Sequence, residues 1–179
     1  MKKIISLFQR NYDGDKKVRD EVVPGSEWVI AGEGIATRKY DGTCCLIRDG
    51  QFFKRHEVKL GGIAPTGFEP ANEVDEKTGK QHGWLPIGTG PENKWHWEAF
   101  DRVANRTDGT YELIGPKING NPEKYERHEL VRHGQGILEG EFARCFDDIC
   151  DYLQANDYEG IVWHHPDGRM VKIKKKDFA

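Results

Sequence analysis

"TCCLIRDGQFFKRHEV", residues 43–58, decides the fold. Two strand-like runs flank Asp49-Gly50, the strongest kind of short-range signal for a two-residue hairpin turn. Apolar residues fall on both faces, Leu46 with Phe53 and Ile47 with Phe52. A ribbon that is apolar on both sides is predicted to be buried on both sides. Upstream, "EWVIAGEGIATRKYDG" carries β-branched and aromatic residues broken by glycine, so residues 27–58 read as strands.

Outward from this ribbon the character changes. Four of the eight prolines fall in residues 59–93, and that stretch reads as one long Pro/Gly-rich loop over the site. "PENKWHWEAFDRV", 91–103, starts a helix after Pro91, with Trp95, Ala99 and Val103 on one face. "DGTYELIG" reads as a strand after a turn. "GEFARCFDDICDYLQAN", 140–156, is predicted helical, with Phe142, Cys145, Phe146, Ile149 and Leu153 forming one buried stripe. "EGIVWHH" and "RMVKIK" then form a second hairpin around Asp167-Gly168. Hairpins plus about two helices predict an α+β fold with antiparallel sheets flanked by helices, in a single domain over residues 1–179.

A two-residue turn at Asp167-Gly168 would set Trp163 opposite Lys172 and Ile161 opposite Lys174. Side chains alternate along a strand, so Glu159, Ile161, Trp163, Lys172 and Lys174 would share one face. That face suits an anion site or a solvated surface, and a one-residue slip would change its membership.

The net charge of −3 argues against a general nucleic-acid coat, while "VKIKKKDF", 171–178, supplies one local basic cluster. No apolar run approaches membrane-spanning length, and "MKKIISLFQR" has no cleavable signal pattern. These features predict a soluble, cytoplasmic protein. Cys44, Cys45, Cys145 and Cys150 lack the spacing of a zinc-ligand pair and read as reduced thiols in the core. The seven histidines show no metal spacing either.

Lys39 stands two residues before Asp41-Gly42. As a nucleophile it must be neutral, and neutralising a free lysine at pH 7 costs roughly 4.6 kcal/mol. Nearby cations and burial lower that cost. Lys172 and Lys174 could supply the cations and also bind a polyphosphate, and Glu159 could hold a divalent metal.

"KYDGT", 39–43, resembles the first motif of the covalent nucleotidyltransferases, the ATP-dependent polynucleotide ligases and mRNA capping enzymes. "KR" at 54–55, "TYELIG" at 110–115, "YEGIVW" at 158–163 and "VKIKKKDF" resemble four further motifs, in the family's order. "EWVIAGEGIATRKYDGTCC" and "YELIGPKINGNP" look like the branch of 5′-3′ RNA ligases that includes a vertebrate RNA-repair ligase. The resemblance runs from about residue 25 to the end, and it implies a nucleotidyltransferase (adenylation) domain. It also implies that Lys39 attacks the α-phosphorus of ATP and holds AMP as a phosphoramidate. Arg55 would contact the nucleotide, with Lys54 as the competing choice. Glu112 would bind ribose hydroxyls, and Glu159 would position Mg²⁺ or Mn²⁺. Lys172 and Lys174 would bind the α-phosphate, and the backbone of residues 36–38 would read the adenine edge. The partners implied are RNA ends, a 5′-phosphate and a 3′-hydroxyl.

No appended oligonucleotide-binding barrel is expected after Lys174, which would speak against cellular DNA ligases and capping enzymes and would leave substrate choice to an unidentified protein partner or to broad tolerance. A guanylyltransferase or DNA ligase using the same lysine, and a non-catalytic RNA-end binder, are the alternatives. Asn119 and Asn121 read as turn residues, and Trp95, Trp97 and Trp163 as core or as stacking platforms.

Overall fold

The structure, a computed structural model, describes residues 4–76, 78–140 and 144–178. In chain order the elements are β1 (Ile5–Ser6), β2 (Phe8–Arg10), β3 (Val18–Val22), α1 (Glu27–Ile30), β4 (Ile35–Lys39), β5 (Thr43–Arg48) and β6 (Gln51–Lys59). There follow β7 (Glu69–Pro70), β8 (Lys80–Pro86), α2 (Lys94–Arg102), β9 (Gly109–Ile114) and β10 (Glu129–Arg132). The last elements are α3 (Phe146–Ala155), β11 (Gly160–His164), β12 (Met170–Lys174) and α4 (Lys175–Phe178). The mixed α+β character expected from the sequence is present.

The chain divides into two compact units. Residues 41–133 form the first, a six-stranded antiparallel sheet in the order β10-β9-β5-β6-β8-β7. Its β5–β6 hairpin is the one read from Asp49-Gly50. Arg48 pairs with Gln51, and Asp49 and Gly50 both have positive φ, as a primed turn requires. Cys45, Ile47, Phe52, Tyr111 and Leu113 pack with Ala99 and Phe100 of α2, so that face of the sheet is the core face. Phe52 stacks on Phe100 with centroids 4.6 Å apart. The expected loop over 59–93 is partly structured: Lys80–Pro86 is β8, paired along β6 from Phe53–Pro86 to Lys59–Lys80.

The second unit comprises the described residues 4–40, 134–140 and 144–178. Its main sheet runs β1-β12-β11-β4, beside a β2–β3 hairpin. The β1–β12 pair is parallel, so the sheets are not all antiparallel. Trp28, Ala36, Ile161, Trp163, Val171 and Ile173 line its core with Ile149 and Leu153 of α3. Residues 27–30, read as strand, form α1, a single turn entered through buried Ser26, whose hydroxyl donates to the carbonyls of Leu7 and Val23. Helix α3 starts at Phe146, later than expected, and Phe142 lies outside the described residues. Cys145 is exposed at its N-cap, and of the four thiols only Cys45 is fully buried.

The β11–β12 hairpin corrects the expected register by one residue. Val162 faces Lys172, Ile161 faces Ile173 and Gly160 faces Lys174. The turn holds three residues, Pro166, Asp167 and Gly168: His165 N–H donates to Arg169 O at 2.9 Å, and Gly168 N–H to His165 O at 2.9 Å. Gly168 takes φ +90°, while Asp167 stays at negative φ. Pro166 fixes a negative φ and starts an ordinary turn closed by a glycine bulge, so Asp167-Gly168 cannot be the primed pair that Asp49-Gly50 is. Ile161 and Trp163 therefore face the core, both fully buried, and leave the lysine face.

Candidate active site

In the second unit the new register builds a tighter site than the sequence predicted. Gly160 is paired with Lys39 of β4 on one side and Lys174 of β12 on the other. The two lysines thus flank one glycine on one face. A Cβ on Gly160 would lie 2.1 Å from the Ile173 carbonyl oxygen, so only glycine permits this close strand approach. Glu159 immediately precedes it, and its carboxylate lies between the lysines. Lys39 Nζ donates to Glu159 Oε2 at 2.6 Å, and Lys174 Nζ meets Oε1 at 2.7 Å. The Lys39 side chain is only 19% exposed and Glu159 11%, so this nucleophile candidate does not stand in bulk water.

One row further along the same face, Thr37, Val162 and Lys172 are cross-strand neighbours. At Lys172, burial first, then the charges of Lys174 and Lys39, push the amine down to about 8, against the pull of Glu159 and Asp177. Burial alone would raise the Glu159 carboxyl. The Lys39 charge, with hydrogen bonds from Lys174 and Lys39, outweighs burial and holds it below the usual carboxylate range.

Sequence reading missed the residue that anchors this end of β12. Asp177 is buried, accepts from the Lys174 backbone N–H at 3.0 Å and is ion-paired with Arg10. "KKKDF" offers no periodic signal for it, because a four-residue helix turns the aspartate back on its own strand. The expected adenine-reading backbone is partly engaged: Arg38 N–H donates to Gly136 O at 2.9 Å, and Ala36 O accepts from Leu138 N–H at 3.0 Å.

Arg55 and Glu112 lie in the first unit. Cys45 pairs with Lys54 and Cys44 with Glu112, so Arg55 shares the sheet face of Cys44 and Glu112, and Lys54 points to the α2 side. There Lys54 Nζ donates to buried Asn93 at 2.8 Å. This division puts Arg55, and not Lys54, on the sheet face of Glu112. Glu112 Oε1 accepts from the Gly42 N–H at 3.1 Å, and Oε2 lies 2.9 Å from His133 Nε2. A Cβ on Gly42 would sit 2.1 Å from Leu113 O, which explains the glycine of "KYDG". Asn119, at positive φ as a turn residue, donates to Asp41 Oδ1 at 3.0 Å and to Gly42 O at 2.9 Å. His133 was missed because it joins Glu112 across strands, where spacing along the chain carries no signal.

Comparison with known proteins bears on both clusters. The RNA ligase 1 family profile matches residues 101–179, a stretch that contains Glu112, Glu159, Lys172 and Lys174. RNA ligase 1 of zebrafish (Danio rerio) is 29% identical over 140 residues, covering 60% of this chain and 43% of its own length. RNA ligase 1 of the orangutan Pongo abelii is 32% identical over 214 residues, covering 79% of this chain and 66% of its own. Over these stretches the chain resembles the RNA ligase 1 family. It spans less than two thirds of the length of these RNA ligase relatives. The profile match leaves out Lys39. Among the described residues no helix is long and apolar enough to cross a membrane.

Proposed function

We propose that this chain is an ATP-dependent RNA ligase working through a lysyl-AMP intermediate on Lys39. The observation that carries the reading is the Lys39–Glu159–Lys174 arrangement, a half-buried amine 2.6 Å from a carboxylate that a second ammonium shares. In the first step the Lys39 nitrogen, having lost its ammonium proton, bonds to the α-phosphorus of ATP. The bond to the bridging oxygen breaks, and pyrophosphate leaves. Lys172 and Lys174 hold negative charge as it shifts onto the phosphoryl oxygens. In the second step AMP passes to the 5′-phosphate of an RNA end. In the third a 3′-hydroxyl displaces AMP and the strand is sealed.

The ion pair with Glu159 keeps Lys39 aimed along the lysine face and also restrains it. Bringing a triphosphate to Lys172 and Lys174 draws Lys174 off the carboxylate. A hard cation fits Glu159, because a carboxylate oxygen shared with mobile ammoniums can exchange one for a metal ion. Magnesium or manganese held there would supply charge neutralisation for the triphosphate. Arg55 and Glu112 serve the nucleotide in this reading, on the strength of their shared face and of the family resemblance.

The test is incubation with α-labelled ATP or GTP and magnesium, followed by a denaturing gel. Label from ATP that disappears in Lys39→Ala supports the ligase. Label from GTP alone makes the protein a guanylyltransferase, and no label from either makes it a non-catalytic binder.

A further inference from the structure

A second group of donors lies in the first unit. Cys44 on β5 and Glu112 on β9 are direct cross-strand partners. His133 follows β10, and its backbone N–H donates to Thr110 O at 3.0 Å. The Cys44 Sγ, a Glu112 carboxylate oxygen and a His133 ring nitrogen all lie within 4.8 Å of one another. A tetrahedral ion with bonds of about 2.0–2.3 Å holds its donors about 3.5 Å apart, so these atoms need only small side-chain adjustments.

From this we infer a binding site for a thiophilic divalent cation of the zinc class, made by Cys44, Glu112 and His133 with a fourth position open to water. Three features support it. The ring of His133 is oriented through its other nitrogen, Nδ1, 2.9 Å from Thr110 Oγ1, the outer-shell contact that metal-binding histidines usually show. The His133 Nε2 and Glu112 Oε2 atoms, 2.9 Å apart, need a proton between them, and a cation takes that proton's place. The Glu112 side chain is 12% exposed and that of His133 27%, sheltered enough to hold an ion and open enough to admit one. A thiol with an imidazole selects a soft or borderline ion. This separates the site in kind from the hard cation that fits Glu159. Binding releases the Cys44 thiol proton and the proton between His133 and Glu112.

Under the proposed function Glu112 also serves the nucleotide, so an ion bound here would oppose adenylylation. That consequence rests on the proposed reading; the site itself does not.

The test is cobalt(II) titration of the reduced protein, with excess magnesium present, followed by zinc displacement. The wild-type protein and the Cys145→Ser/Cys150→Ser variant should both develop a thiolate-to-cobalt absorption band that zinc removes. Cys44→Ser, checked as folded by circular dichroism, should lose the band. His133→Ala should bind at least about tenfold more weakly. The site is refuted by no band in the wild type, by a band abolished by magnesium or surviving in Cys44→Ser, or by unchanged affinity in His133→Ala.

Discussion

Lys172 is the lysine whose amine is pushed well below its ordinary value by its surroundings. Its amine sits at about 8 in the folded chain, against an ordinary lysine value of 10.5. Between those values the unfolded chain holds a proton that the folded chain has released, so this group makes stability rise with pH across that window. Below about pH 8 both states are protonated and the burial cost is fully felt. A polyphosphate beside Lys172 favours the charged form. ATP binding near pH 8–9 should therefore take up protons, measured by calorimetry in buffers of different ionisation enthalpy. Lys172→Met should abolish the uptake, and equal uptake in both proteins would remove Lys172 from the phosphate site. Lys172→Ala should slow lysine adenylylation by about 10²–10³, the usual cost of losing one charge stabiliser. Lys175→Ala should stay near the wild-type rate, because its Nζ donates to the carbonyls of Gln154 and Asn156 rather than facing the lysine row.

The β11–β12 ribbon is the device that brings the charged row together, and its turn sets which side chains belong to it. The first hairpin was readable because Asp49 and Gly50 both tolerate positive φ. The second misled by one residue because Pro166 starts a three-residue turn, and odd and even loops give opposite faces. The alternation along β12 was legible, so Lys172 and Lys174 were correctly grouped, while Trp163 and Ile161 were assigned to the wrong side. Glu159 sits at the strand end, where its carboxylate reaches the lysine row. His133 and Asp177 were hidden because their partners are remote in sequence or lie across a tight turn. Gly160→Ala should disorder this ribbon: the added methyl meets Ile173 O at 2.1 Å, and the cost should exceed the roughly 1–3 kcal/mol of ordinary overpacking, read as a fall in urea midpoint. Asp177→Ala should cost about 1–3 kcal/mol by leaving the Lys174 N–H and Arg10 without their carboxylate, with a parallel loss of adenylylation. A destabilised variant with full adenylylation would show that β12 does not need this anchor to present its lysines.

Two units, each with its own core, share the residues that the family resemblance singles out. Lys39, Glu159, Lys172 and Lys174 belong to one, and Arg55 and Glu112 to the other. The resemblance to RNA ligases was legible from motif order, and the relatives compared above are 29–32% identical to this chain. The central claim is that the Lys39 amine becomes covalently adenylylated. Intact-mass spectrometry after incubation with ATP and magnesium tests it most directly. The expected result is a gain of one adenylyl group in the wild-type chain and none in a folded Lys39→Ala variant. An unchanged wild-type mass, or the same gain in Lys39→Ala, would contradict it.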